Sequence, residues 1–352
     1  METVRLGRTD LVVNRTGFGA LPVQRVGMEE AKRIIRRAID GGIQFFDTAR
    51  AYTDSEEKLG AALDPALRKT IVLATKARAA DGASLTQSLH TSLKTLRTEY
   101  VDILQAHNPK RVPAPDDGSG CWEALAEARR AGKIRWIGLS AHAADVAIRA
   151  ARSGLYDTVQ FPFSYLSGGL DLTIPGICRD ADVGFLAMKG LGGGLIRNIP
   201  AAFAFMRGHG TVLPLWGIQK MEELEEFLAL SAAPPAWDAA MDASVEQDRR
   251  ELGTAFCRGC GYCMPCAVGI DIALVARMEL YLGRQPLQRV EQECGAKMAA
   301  AVTCIQCGEC RSRCPYGLDT PELVRKNTEF YNDYMRRLGL AQQEQASLGQ
   351  RR

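Results

Sequence analysis

Eight of the eleven cysteines in this 352-residue chain form two runs, one at 257–266 and the other at 304–314. The first reads Cys257-x2-Cys260-x2-Cys263-x2-Cys266, the second Cys304-x2-Cys307-x2-Cys310-x3-Cys314-Pro315. Thiolates at two-residue spacings let a short loop wrap an iron–sulfur cubane, each sulfur turned inward onto its own iron. Structural zinc also takes four cysteines, but usually as two pairs parted by a longer spacer. Disulfides need an oxidising compartment, and the opening Met-Glu-Thr-Val-Arg lacks the apolar core of a signal peptide. The two runs are therefore read as ligands of two 4Fe–4S clusters. Cys121, Cys178 and Cys294 are scattered and read as small buried hydrophobes.

A second group is Asp47, Tyr52, Lys76 and His107, each at or just after the end of a short strand-like run. A phenol ionises near pH ~10 and is a poor proton donor at neutrality. An ammonium beside it favours the phenolate, so Lys76 is expected to pull the Tyr52 pKa down. Asp47 would hold Lys76 charged and aimed, and His107 would orient a substrate oxygen. Tyr52 could then donate a proton to a carbonyl oxygen as hydride arrives at its carbon. His90, His142 and His209 lack such company and read as structural.

The elements that must position these groups alternate. Strand-like runs at 16–19, 42–46, 71–74, 101–104, 134–139, 158–160, 183–187 and 211–213 are separated by helical patterns such as 29–39, 85–96, 122–130, 144–151 and 221–230. Eight β/α units predict a parallel sheet closed into a (β/α)8 TIM barrel, with strand ends converging on one face. Val4–Val13 reads as a hairpin plugging the other end. The α/β barrel is thus assigned to residues 1–230 and a helical linker to 231–255. A small, mostly helical iron–sulfur domain follows at 256–340. Ile272–Leu282, Gln288–Val302 and Thr320–Leu338 read as its helices, and 341–352 as a disordered tail.

Composition sets the class. Hydrophobic residues make up 46% and charged residues 24%, as in ordinary globular proteins, and the net charge of +3 gives no case for nucleic acid or an acidic membrane surface. No apolar run is long enough to span a bilayer. The cytoplasm, where thiols stay available to iron, is the compartment this implies.

Phe46-Asp47-Thr48-Ala49-Arg50-Ala51-Tyr52, Ala74-Thr75-Lys76 and Leu104-Gln105-Ala106-His107-Asn108-Pro109 closely resemble the aldo-keto reductase superfamily. Arg5-Leu6-Gly7-Arg8-Thr9 and Phe18-Gly19-Ala20 resemble its opening, and the likeness covers residues 1 to about 230. The second cysteine run resembles bacterial ferredoxins, down to the proline after its last cysteine. Together the chain is similar to bacterial aldo-keto reductases that carry a C-terminal ferredoxin-like domain. The resemblance implies that Asp47, Tyr52, Lys76 and His107 are a catalytic tetrad. It also implies NADP(H) extended across the barrel mouth. Ser140 and Gln160 would meet the nicotinamide amide, Met188 its ring, Gly192 and Gly193 the pyrophosphate, and Lys220 the 2′-phosphate. By ferredoxin wiring, Cys257, Cys260, Cys263 and Cys314 would hold one cluster, and Cys304, Cys307, Cys310 and Cys266 the other.

The chain departs from the family in places. Ala141 follows Ser140 where an asparagine is usual, and Phe227 replaces another asparagine. Glu222, Glu223, Glu225 and Glu226 crowd the helix that would face the phosphate. Three functions follow as expectations. One is NAD(P)H-dependent carbonyl reduction with Tyr52 as acid. Another is cluster-driven reduction without nicotinamide. The third is a non-enzymatic redox sensor or carrier. The substrate would be a small carbonyl or other reducible apolar or aromatic compound, with Phe161, Phe163 and Tyr165 as an apolar lining. A ferredoxin or flavodoxin would supply electrons.

Overall fold

β1 (Thr3–Arg5) and β2 (Val12–Asn14) pair antiparallel, with Val4 opposite Val13, in a computed structural model that describes residues 2–78, 81–253, 257–283 and 285–349. Eight parallel strands follow: β3 (Gly17–Gly19), β4 (Phe45–Asp47), β5 (Val72–Ala77), β6 (Val101–His107), β7 (Ile134–Ser140), β8 (Thr158–Pro162), β9 (Gly184–Met188) and β10 (Val212–Gly217). They close into a barrel as β10 pairs with β3, Leu215 lying opposite Gly17. The chain divides into two compact units, Met1–Arg250 and Glu251–Arg352.

The apolar pattern dictates the layers of the first unit. In the helix Met28–Asp40, Ala31, Ile34, Ile35 and Ala38 recur at three- and four-residue spacing and are buried, while Glu29 and Glu30 suit its positive N-terminal end. Each buried isoleucine contributes about 1.5–3 kcal/mol of transfer free energy. Inside the barrel, Phe45, Ile103, Leu186, Leu213 and Leu215 pack with Val4, Leu6, Leu11 and Val13 of the hairpin, which closes that end as expected. Gly7 sits at φ +56°, and a Cβ there would strike the Gly184 nitrogen at 2.3 Å, so this tight corner against β9 requires glycine. Outward-facing Trp216 stacks on Phe203 at 4.4 Å and Phe227 at 5.4 Å, tying β10 to its flanking helices.

A polar helix, Ala239–Leu252, ends this unit. Only Val245 of it is buried, yet it is pinned to barrel-mouth loops. Tyr165 donates its hydroxyl to Asp248, Arg249 reaches the Tyr165 carbonyl at 2.8 Å, and Asn198 donates to Ser244 at 2.9 Å. Residues 254–256, where the sequence places the end of the linker, lie outside the described residues.

The second unit packs short helices on two longer ones, Leu287–Ala301 and Thr320–Gly349. Its core joins Ile270, Ile272, Val275, Met278, Val290, Met298, Val324 and Tyr331 with Cys263 and Cys310. The single helix expected over 272–282 is two, Ile272–Val275 and Met278–Leu282. Asn327 stabilises the break by accepting from the Glu279 amide at 3.0 Å and donating to the Ala276 carbonyl at 3.4 Å. The last helix continues past Leu338, its expected end, as far as Gly349. Residues 350–352 lie outside the described residues. Among the described residues, no helix is long and apolar enough to cross a membrane.

Candidate active site and cluster-binding region

Strand ends bring the first group together. Asp47 closes β4, Lys76 lies near the end of β5, and His107 closes β6. Tyr52 follows β4 in a turn made by its amide on the Ala49 carbonyl (2.9 Å) and the Ser55 amide on its own carbonyl (2.8 Å). Lys76 Nζ donates to Asp47 Oδ2 at 2.6 Å and to the Thr48 carbonyl at 2.8 Å, and is 1% exposed. The same ammonium lies 5.1 Å from the centre of the Tyr52 ring, which meets the His107 ring edge-on at 6.0 Å.

The electrostatics differ from the simple expectation. Burial pushes the Tyr52 hydroxyl above its usual range; Lys76 opposes this and Asp47 reinforces it, so the balance is upward rather than downward. Tyr52 remains half-buried, and water reaches part of it. For Lys76, burial pulls down, but Asp47 and Tyr52 outweigh it and the ammonium is held above its usual value. His107 is driven well below the ordinary imidazole value by burial, with Lys76 and Arg78 adding repulsion, and is neutral at pH 7. Its Nδ1 is buried with no partner among the described residues.

The groups expected to meet a nucleotide are more scattered. Ser140 closes β7 and Gln160 lies in β8, both buried at the same face of the barrel. Gln160 Nε2, however, donates to Asp47 Oδ2 at 3.1 Å, and its Oε1 is buried with no partner among the described residues. Ser140 Oγ takes the Asn108 amide at 3.2 Å. Met188 ends β9, and Gly192 and Gly193 follow in left-handed conformation (φ +55° and +83°). Lys220 begins the helix Met221–Ala232, where the Glu223 carboxylate accepts the amides of Gln219 (2.9 Å) and Lys220 (3.1 Å). Phe161, Phe163 and Tyr165 are fully buried, and Phe163 packs on Phe185, Phe205 and His209. Packing, rather than lining a substrate pocket, is what uses these rings.

Gln105 was not singled out by the sequence, yet it is wholly buried and donates from Nε2 to Asp47 Oδ1 at 3.1 Å. It lies two residues before His107, on the same face of β6, and that period is the signal that could have found it.

In the second unit the cysteines form two neighbourhoods. Cys266, Cys304, Cys307 and Cys310 line one pocket together with Ile270, Ile272, Ile305 and Val324. Burial raises the Cys260 thiol, and Cys257 and Cys314 add to it. Cys263 is pushed up to about 12 by burial and by Cys257, Cys260 and Cys310. Left-handed residues recur in the two-residue gaps, Gly259 and Gly261 in the first run and Gln306 and Gly308 in the second. Buried Arg258 lies 3.9 Å over the Tyr316 ring, a cation beside Cys257 that suits a net negative group. Among the described residues, no three Cys, His, Asp or Glu groups close on a single-ion site. Four thiols lining one pocket are a donor set that fits a cubane, which meets each thiolate at a separate corner.

Comparison with known proteins gives two family matches: the aldo/keto reductase family over residues 15–199 and the 4Fe-4S dicluster domain over residues 256–319. The oxidoreductase YrpG of Bacillus subtilis is 31% identical over 227 residues, 56% of this chain and 68% of its own length. Aldo-keto reductase YhdN of the same organism is 28% identical over 56% of the chain and 64% of its own length. L-galactose dehydrogenase of Arabidopsis thaliana is 30% identical over 61% and 70%. The chain thus spans about two thirds of the length of these relatives. A solved aldo-keto reductase of Klebsiella pneumoniae, in complex with NADPH, shares the fold at TM-score 0.58 and 22% identity, over 70% of this chain and 94% of its own.

Proposed function

The chain belongs to the aldo/keto reductase family and carries a 4Fe-4S dicluster domain at its C-terminal end, and from that premise we propose that this oxidoreductase reduces a carbonyl compound with Tyr52 as the proton donor. The single observation that carries the reading is Lys76, a buried ammonium shared between Asp47 and the Tyr52 ring. Neutral His107 and the Tyr52 hydroxyl bracket the position of a carbonyl oxygen. As charge develops on that oxygen, Tyr52 transfers its proton to it and the Lys76 ammonium stabilises the phenolate left behind. A reduced nicotinamide, when bound, supplies the hydride to the carbonyl carbon, so proton and hydride together convert C=O to CH–OH. Gln160 Oε1, a buried acceptor without a partner among the described residues, suits an amide N–H of such a group. The other end favours NADH over NADPH. Glu223 already holds the two amides at the start of the helix Met221–Ala232, and its charge repels a 2′-phosphate.

Ser140, Met188, Gly192, Gly193 and Lys220 are assigned to the same nucleotide by family resemblance. Titration of the holoprotein with NADH and NADPH, followed by tryptophan fluorescence, tests the assignment. Binding of NADH, with turnover of 4-nitrobenzaldehyde, is expected; no binding of either nucleotide would sink the hydride reading. A second reading is favoured by Ala141 and Phe227, which stand where the family carries asparagines, and by eight cysteines, enough for two clusters that store two electrons. Electrons would then come one at a time from two 4Fe–4S clusters, fed by a ferredoxin or flavodoxin, with one proton from Tyr52 to the oxygen and a second from water to the carbon. Dithionite-reduced protein turning over the aldehyde without nucleotide would support it.

Cys257, Cys260, Cys263 and Cys314 are proposed to hold one cluster, and Cys266, Cys304, Cys307 and Cys310 the other. In the hydride reading the clusters would be structural or redox-sensing; in the second they would supply one-electron redox chemistry.

A further inference from the structure

We infer that Gln105 is a positioning residue that fixes the Asp47 carboxylate and, through it, the direction of the Lys76 ammonium; the inference rests on the reading of Tyr52 as proton donor. Asp47 accepts from three buried side chains. Lys76 and Gln160 share Oδ2 at 2.6 and 3.1 Å, whereas Gln105 is the side chain that holds Oδ1, at 3.1 Å. A carboxylate gripped at one oxygen can turn about its Cβ–Cγ bond. Gripped at both, it presents Oδ2 to Lys76 in one orientation.

Strand register shows how the barrel makes room for this. Lys76 of β5 lies opposite Gln105 of β6, Gln105 opposite Gly138 of β7, and Gly138 opposite Thr158 of β8. A Cβ at Gly138 would meet Thr158 Oγ1 at 2.6 Å, the Gln105 Cγ at 2.8 Å and the Ile103 Cγ2 at 3.1 Å. The missing side chain is the space in which Gln105 lies. Stability alone does not account for an amide here. Two residues earlier on the same face, β6 carries Ile103, part of the apolar barrel interior. Gln105 instead leaves its Oε1 buried and without a partner among the described residues, a desolvation cost that a leucine would not incur. What the amide gains in return is the hydrogen bond to Asp47.

Gln105→Leu removes the donor and keeps the volume. The freed carboxylate turns and draws Lys76 away from the phenol. The expected results are a fall of about tenfold in kcat with 4-nitrobenzaldehyde and NADH, an unchanged KM, and a Tyr52 titration moved upward. The titration is read by 19F NMR on difluorotyrosine placed at position 52, whose lower intrinsic pKa brings ionisation into the working range and which needs no turnover. Gln105→Met serves if the leucine variant folds poorly, and Gly138→Ala, which presses on the Gln105 Cγ, should move the titration in the same direction. An unmoved or lowered Tyr52 titration in folded Gln105→Leu or Gln105→Met overturns the inference. Wild-type activity in Tyr52→Phe overturns the proton-donor reading instead, and the titration still decides the role of Gln105.

Discussion

Lys76 could not remain an ammonium at 1% exposure by itself; Asp47 at 2.6 Å is what keeps it charged. Tyr52 is the group that benefits. Replacing Tyr52 with Phe is expected to lower kcat by about 10²- to 10⁴-fold while leaving the visible absorbance of the clusters intact, since only the proton is lost. Steady-state assays beside absorption spectra check this, and near-normal turnover would remove Tyr52 from the chemistry. His107 makes a second expectation. Its folded pKa is well below that of the unfolded chain, so the unfolded state takes up the proton first as pH falls below ~6.5. Stability should therefore drop from pH 7.5 to 5.5, and the urea midpoint of His107→Gln should drop less. His209, also lowered by burial and by Arg15, adds a parallel loss that the variant keeps. At this scale the residue types were legible, because Asp47, Lys76 and His107 sit at strand ends that the alternating pattern marks. The direction of the Tyr52 shift was not legible. It depends on how much burial outweighs one neighbouring ammonium, and only packing sets that balance.

At the scale of elements, the helix Met221–Ala232 shows how a local signal can be right in kind and incomplete in consequence. Four glutamates in its first two turns are visible in the sequence as a repulsive start for a phosphate. That one of them, Glu223, folds back to take the Gln219 and Lys220 amides required the geometry. The same carboxylate thus caps the helix and, in the proposed nucleotide orientation, would repel a 2′-phosphate. Glu223→Gln keeps an acceptor oxygen but removes the charge. It is expected to strengthen NADPH binding relative to NADH several-fold, with a loss of about 0.5–1 kcal/mol in stability from the weakened cap. Parallel fluorescence titrations and urea melts check both; an unchanged nucleotide ratio would show that the helix start does not face the phosphate. The eight barrel strands were readable from β-branched runs at regular spacing. The break between Ile272–Val275 and Met278–Leu282 was not, because the residue that caps it, Asn327, lies about fifty positions away.

Across the whole molecule, a barrel of the aldo/keto reductase family, for which a two-electron reduction is proposed, shares a chain with cysteines suited to one-electron centres. The electron count of the second unit is therefore decisive, and it rests on whether eight cysteines make two clusters and with which wiring. Cys307 is exposed, whereas Cys257 and Cys263 are each 7% exposed and the electrostatic neighbours of Cys260 include Cys314. If Cys314 completes the set of Cys257, Cys260 and Cys263, then Cys314→Ser and Cys260→Ser should damage the same cluster, and Cys307→Ser and Cys266→Ser the other. Wild-type protein prepared without oxygen should contain about eight irons and eight sulfides per chain, and each single variant about half to three quarters of that. Dithionite-reduced samples should then show which variants share an electron paramagnetic resonance spectrum. Identical spectra for Cys314→Ser and Cys260→Ser, distinct from that shared by Cys307→Ser and Cys266→Ser, are expected. Were Cys314→Ser to pair with Cys307→Ser instead, each run would hold its own cluster. The crossed arrangement that ties residue 314 back to the first run would then be wrong.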